Sequence, residues 1–214
     1  VAQLVSRVYP GLRVAGSIVL NNEVGGLNPA AVQAAADIGA KVVWMPTRSA
    51  ATSETPGLRL TSDDGTLLPE VIAVLEIVRD ADMVIASGHA SSGDTLALLT
   101  AAKNIGVART IVTHPVGTAD SEQIREMAAL GAYIEHTFLS CMPSRQRTTP
   151  SQMVASIHEI GVERCIVTTN FGQWMNPSPA EGMRMAIAEL LNAGMSDDEV
   201  TALVKNNPLG LIDP

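Results

Sequence analysis

Aromatic side chains are nearly missing from this sequence: two Trp, two Tyr and two Phe make up 3% of it. A core must therefore be filled by Ala, Val, Ile, Leu and Met, and an apolar share of 46% is ample for one domain and argues against disorder. Such a core suits parallel strands buried on both faces and covered by Ala-rich helices. Cysteine is scarce too. Cys141 and Cys165 stand in contexts that suggest no disulfide framework, and Cys165, opening the run Cys165-Ile166-Val167, reads as a buried small hydrophobe. Basic clusters are lacking: 14 Lys and Arg stand against 22 Asp and Glu, a formal charge of −8. Neither nucleic acid nor an anionic membrane is therefore an expected partner. No apolar run reaches transmembrane length and no charged-then-apolar leader opens the sequence, so the cytoplasm is the expected compartment.

What is present is an alternation. Short apolar runs of strand length lie at Val14–Leu20, Val42–Met45, Met83–Ala86, Thr110–Thr113, Ala132–Ile134 and Cys165–Thr168. Helical segments with readable caps separate them. Asn28-Pro29 starts one that Gly39 closes; Leu67–Ala81 carries apolar residues at spacings of three and four; Ser91 and Ser92 open another that runs to Gly106. Asp120 with Gln123, Thr149-Pro150 with Gln152, and Ser178-Pro179 with Glu181 resemble capping boxes, and Ser196 with Glu199 starts a last helix. A partial helix, Ala2–Val8, stands in front. Six β-α repeats imply an α/β fold, either a (β/α) barrel or an open doubly wound sheet. Gly25-Gly26 lacks the spacing of a dinucleotide-binding turn.

The polar residues bear on that choice, because barrel chemistry sits at the C-terminal ends of the strands. His89 follows one run, His114 the next, and Asn170 the last. Imidazoles at equivalent strand ends point to a metal centre or to catalysis, against the plainer reading of loop histidines that merely hydrogen-bond. Glu135 and His136 end the run Ala132–Ile134 together, and strand alternation lets only one of them face a barrel interior. Ligand, proton-transfer group and orienting group are all open for this pair. His158 lies inside a helix and reads as a surface residue. Lys41 opens the run Val42–Met45; it is a candidate carbamate ligand or, more plainly, a solvated lysine at the opposite face.

The stretches VLNNEVGGLNPAAV, KVVWMPT, SGHAS, VTHP, IEH and TNFGQWMNPSPAEGMR, together with the C-terminal NNPLGL, resemble an amidohydrolase-like group of the amidohydrolase superfamily of metal-dependent hydrolases. The likeness spans nearly the whole chain. It implies a (β/α)8 barrel of TIM type in which His-x-His ends strand one, a carboxylated Lys sits on strand four, His residues end strands five and six, and Asp ends strand eight. Counting back from Cys165–Thr169 as strand eight puts His89 and His114 at the fifth and sixth strands and Lys41 on the fourth. The expected ligand set is therefore His89, His114, Lys41 and Asn170.

Two departures shape the expectation. No His-x-His occurs, and the counting implies a single barrel domain over residues 1–214 that begins inside helix two, with six of eight strands present and the other two expected from about 50 further residues preceding them or from a partner. Asn170 stands where the resemblance expects Asp; an amide can offer its oxygen to a cation but cannot serve as a general base. Asn170, His136 and Glu135 are thus the candidate catalytic residues. Arg48, Arg145 and Arg147 are candidates for gripping a substrate carboxylate, against the plainer role of solvated loop arginines. Trp174 would wall the site or pack on the barrel rim. The function implied is hydrolysis of a small-molecule amide, lactone or related ester by water activated on a divalent ion, zinc first, with manganese or iron as alternatives. The alternatives are a metal-dependent decarboxylase or lyase on the same barrel, or a catalytically impaired ligand-binding barrel. The partner expected is a small molecule, and homo-oligomer formation is compatible with so apolar a chain.

Overall fold

Local capping chemistry sets the frame on which the strands hang. The computed structural model describes residues 1–52 and 55–213, which divide after Val112 into two compact units.

The first unit contains α1 (Ala2–Val8), β1 (Gly16–Val19), α2 (Pro29–Asp37), β2 (Ala40–Trp44), α3 (Pro69–Asp80), β3 (Val84–Ala86), α4 (Ser92–Ile105) and β4 (Arg109–Val112). Its strands run parallel in the order β1-β2-β3-β4, with Val42 beside Val84 and Ile85 beside Thr110. Asn28 caps α2 by accepting from the Ala31 N–H, and Ser91 caps α4 by accepting from Asp94 N–H. One sheet face, with Ile18, Leu20, Val43, Met45, Met83 and Ile85, packs on Val32 of α2, Val71, Leu75 and Val78 of α3 and Leu98 of α4. Several of these side chains are wholly buried, and each contributes about 1.5–3 kcal/mol. Buried Asp94, in the first turn of α4, accepts from Leu60 N–H at 3.1 Å and from the Thr61 hydroxyl at 2.5 Å, which ties down the long connection after β2.

The second unit contains α5 (Ser121–Ala129), β5 (Tyr133–Thr137), α6 (Pro150–Ile160), β6 (Cys165–Thr168), α7 (Pro179–Asn192), α8 (Asp197–Thr201) and α9 (Asn207–Ile212). The capping boxes at Asp120, Thr149 and Ser196 form with both arms, whereas Ser178 makes one arm only. Strands β5 and β6 pair in parallel, Glu135 beside Ile166 and His136 beside Val167.

Strand β5 is longer than its apolar run suggests. It continues through Glu135 and His136 because the backbone ladder does not depend on side-chain polarity, and both side chains are buried. The last helix is broken by a π turn, Ala202–Asn206, between α8 and α9. Pro208 lacks the N–H a regular turn would need there, and Asn207 donates its amide to the carbonyls of Val162 and Cys165. The NNPLGL motif thus anchors the start of β6. No helix among the described residues is long and apolar enough to cross a membrane.

Candidate functional site

In the first unit the strand-end loops are stitched by an asparagine that sequence reasoning passed over. Asn21, just after β1, accepts through Oδ1 from Thr47 N–H at 2.9 Å and Ser49 N–H at 3.2 Å, and donates Nδ2 to the Thr47 hydroxyl. Its only sequence signal was its place after a strand. The turn that carries His89 presses against the end of β2: His89 N–H donates to Pro46 O at 2.9 Å. A Cβ on Gly88, whose φ is +62°, would stand 2.3 Å from Met45 O, so only glycine fits this approach. His89 itself is exposed. Arg48, four residues beyond β2, is exposed and paired with Glu23 at 2.5 Å. Lys41 is exposed at the N-terminal end of β2, preceding Val42, which pairs with Val84. It therefore sits at the opposite end of the strands from the His89 turn.

The second unit brings more of the candidates together. His114, directly after Thr113, has φ +27°, and Asn170, two residues past β6, has φ +53°. Both are left-handed backbones that L-residues other than Asn, Asp and His seldom adopt, a strain of order 1 kcal/mol or more that tends to accumulate at functional sites. Glu135, 6% exposed, accepts from the Thr168 hydroxyl at 2.9 Å through Oε1 and from the His114 backbone N–H. Its second oxygen, Oε2, is buried without a hydrogen-bond partner. Burial pushes the Glu135 carboxyl above the usual carboxylate range, and the two hydrogen bonds only partly oppose this. The importance of Thr168 had no sequence signal beyond its place in a strand.

His136 is 1% exposed and lies on the other face of β5, with both ring nitrogens buried and unpartnered. Desolvation holds its pKa down to about 4, so it is a neutral imidazole near neutral pH. Arg145 and Arg147 are exposed in the loop after β5. The Arg147 side chain crosses Gly117 of the His114 loop, where a Cβ would meet its Cδ at 3.5 Å. Asn170 is exposed; its carbonyl accepts from Gln173 Nε2 at 3.2 Å, and Gln173 in turn accepts from Asn176. Phe171 pins this loop, buried against Gly182 and 6.3 Å from the Phe138 ring. Trp174 is 92% exposed, outside any packed layer.

Three residues fall outside this cluster of roles. His158 is a surface helix residue, 2.9 Å from Glu199. Cys165 is a buried thiol pushed up to about 12 by desolvation and then by Glu163, and Cys141 is pushed up to about 11 by desolvation and then by Glu189; both are free.

Among the described residues no three His, Cys, Asp or Glu side chains converge into a ready-made metal cluster. The donor chemistry nonetheless suits a cation at one point. A buried carboxylate with an orphaned oxygen, in contact with the backbone of a strand-end histidine, is the kind of group a divalent ion satisfies.

Solved structures share this architecture at low identity. An organophosphorus hydrolase from Deinococcus radiodurans matches with a TM-score of 0.64 at 14% identity, over 98% of this chain and 73% of that one. A TatD homologue from Escherichia coli K12 matches at 0.61 and 15% identity, over 100% of this chain and 82% of that one. An amidohydrolase from Pseudomonas aeruginosa matches at 0.60 and 12% identity, over 86% and 67%. These likenesses show the fold: α/β, of the TIM-barrel type. No curated protein matches the chain. A family model covers residues 1–135, more than half of the sequence, and the chain belongs to the family it describes, a family of unknown function designated DUF6282.

Proposed function

We propose that the chain is a metal-dependent hydrolase that cleaves a small-molecule amide, lactone or related ester. The observation that carries this reading is the strand-end geometry of the second unit: a buried Glu135 with an orphaned oxygen, bonded to the backbone of His114, with both His114 and Asn170 in left-handed backbone conformations. Solved hydrolases of the same fold support it. His114 is the imidazole ligand of the second unit in this reading, and Asn170 adds an amide oxygen; His89, three residues past β3, is the candidate ligand of the first unit. Lys41, exposed at the other end of β2, is left out of the set.

A divalent ion, zinc first, with manganese or iron as alternatives, would supply Lewis acidity and lower the pKa of a water when bound. The chain's own residues do the rest. The Gly88 turn and the Asn21 stitch fix the loops of the first unit, so that His89 is presented on a stiff turn. Thr168 and the His114 N–H hold the buried Glu135 carboxyl in place. Arg145 and Arg147 offer cations for an anionic substrate group; Arg48 does so only by releasing Glu23. His136, neutral and on the far face of β5, shapes the strand rather than touching substrate. The two free cysteines support a reducing compartment, the cytoplasm. Self-association remains part of the proposal, without an assigned surface.

A lyase on the same scaffold is the second reading, favoured by Asn170, whose amide supplies no general base. The test is metal content and chelator-sensitive turnover of the purified chain on a panel of γ-lactones, N-acyl amides and aryl esters. Absence of both bound metal and chelator-sensitive hydrolysis sinks the proposal. Decarboxylation without hydrolysis selects the lyase.

A further inference from the structure

We infer that Glu135 is an oxygen ligand of the divalent ion, in the place that an aspartate at position 170 would otherwise hold. This rests on the metal-dependent reading above and assigns a ligand to it. Three observations carry it.

The first is the orphaned oxygen. Glu135 is 6% exposed, its Oε1 accepts from Thr168, and its Oε2 is buried with no hydrogen-bond partner. A carboxylate oxygen left so in a protein interior is strongly disfavoured by desolvation unless a proton or a cation meets it. The second is position. The His114 backbone N–H donates to this carboxyl, so Glu135 adjoins the residue that supplies the candidate imidazole. The third is orientation. Ligand carboxylates are generally held by hydrogen bonds to the oxygen that does not carry the main metal bond. Thr168 on β6 provides that hold, in register with Thr137 two positions along from Glu135 on the same face of the sheet.

The other oxygen donor of this unit is less well suited: Asn170 is exposed and uncharged. A hard or borderline divalent ion gains most from an anionic oxygen, and Glu135 is the buried carboxylate of this unit's strands.

The experiment is Co2+ titration into metal-free wild-type chain, Glu135→Gln and Thr168→Val, followed by calorimetry and by the visible absorption of the bound ion. Circular dichroism checks folding of each variant. Glutamine keeps the shape and the acceptor for Thr168, so E135Q should fold. The expected result is Co2+ affinity at least about 10-fold weaker in E135Q with an altered visible band, and a smaller loss in T168V, where only orientation is relaxed. Wild-type affinity and an unchanged spectrum in E135Q overturn the assignment while leaving the hydrolase reading intact. Should E135Q not fold, wild-type affinity and spectrum in T168V overturn it instead. No Co2+ binding by wild type sinks both the assignment and the metal reading.

Discussion

The buried imidazole of His136 should make the chain lose stability as the pH falls from about 6.5 to about 4. The cause is desolvation: both ring nitrogens are buried and unpartnered, and the residue is 1% exposed. The sign follows from proton counting. Between the folded value of about 4 and the ordinary 6.5, the unfolded chain holds a proton on this ring and the folded chain does not. Stability is then fully present above the ordinary value and drains away as the pH falls toward the folded one. A gap of that size corresponds to roughly 3 kcal/mol between pH 7 and pH 4, at about 1.4 kcal/mol per unit. With a urea slope of about 2 kcal/mol per molar, the midpoint would fall by roughly 1.5 M.

Carboxylates titrate over part of the same range, so the diagnostic quantity is a difference between proteins. Urea midpoints of metal-free wild type and His136→Leu should be measured from pH 7.5 to 4. The gap in favour of the leucine variant should widen by about 3 kcal/mol as the pH falls. A gap that stays constant, or an imidazole NMR titration with its midpoint near 6.5, would refute the reasoning. Glu135 works in the opposite direction. Its folded value is raised, so its contribution is whole below the ordinary carboxylate range and is lost as the pH climbs through the raised value. Metal-free E135Q should therefore gain on wild type at alkaline pH and lose that gain at acid pH.

Other outcomes can be checked in parallel. Gly88→Ala forces a Cβ to within 2.3 Å of Met45 O and 2.5 Å of Pro46 O in a left-handed turn, and thermal melting should show a loss of about 3 kcal/mol or more. Asp94→Ala strands the Leu60 N–H and the Thr61 hydroxyl, for a loss of about 3 kcal/mol by urea denaturation. Arg48→Ala, which breaks only the exposed pair with Glu23, should stay within about 0.5 kcal/mol of wild type. Asn170→Asp keeps a residue type tolerant of positive φ and should raise hydrolysis about 100-fold; no gain in a chain that decarboxylates would favour the lyase.

The order of strands and helices was legible because its signals are local. Asn28, Asp120, Thr149 and Ser196 each accept from a backbone N–H three residues on, and such contacts need no distant partner. The parallel strands were legible for a related reason, since burial on both faces leaves uninterrupted apolar runs such as Val84–Ala86. The same rule shortened β5, because a run that stops at the first polar residue cannot see a buried Glu135.

What sequence alone determined, then, is the β-α succession and the set of polar residues that follow the strands. Tertiary structure decided how those residues differ. Thr168 and the His114 N–H reach Glu135 across separate segments of chain, and they leave one of its oxygens orphaned. The neighbouring His136, one peptide further on, is turned to the opposite face and starved of partners. Desolvation depends on what the rest of the chain packs around a group, and no window of neighbouring letters encodes it.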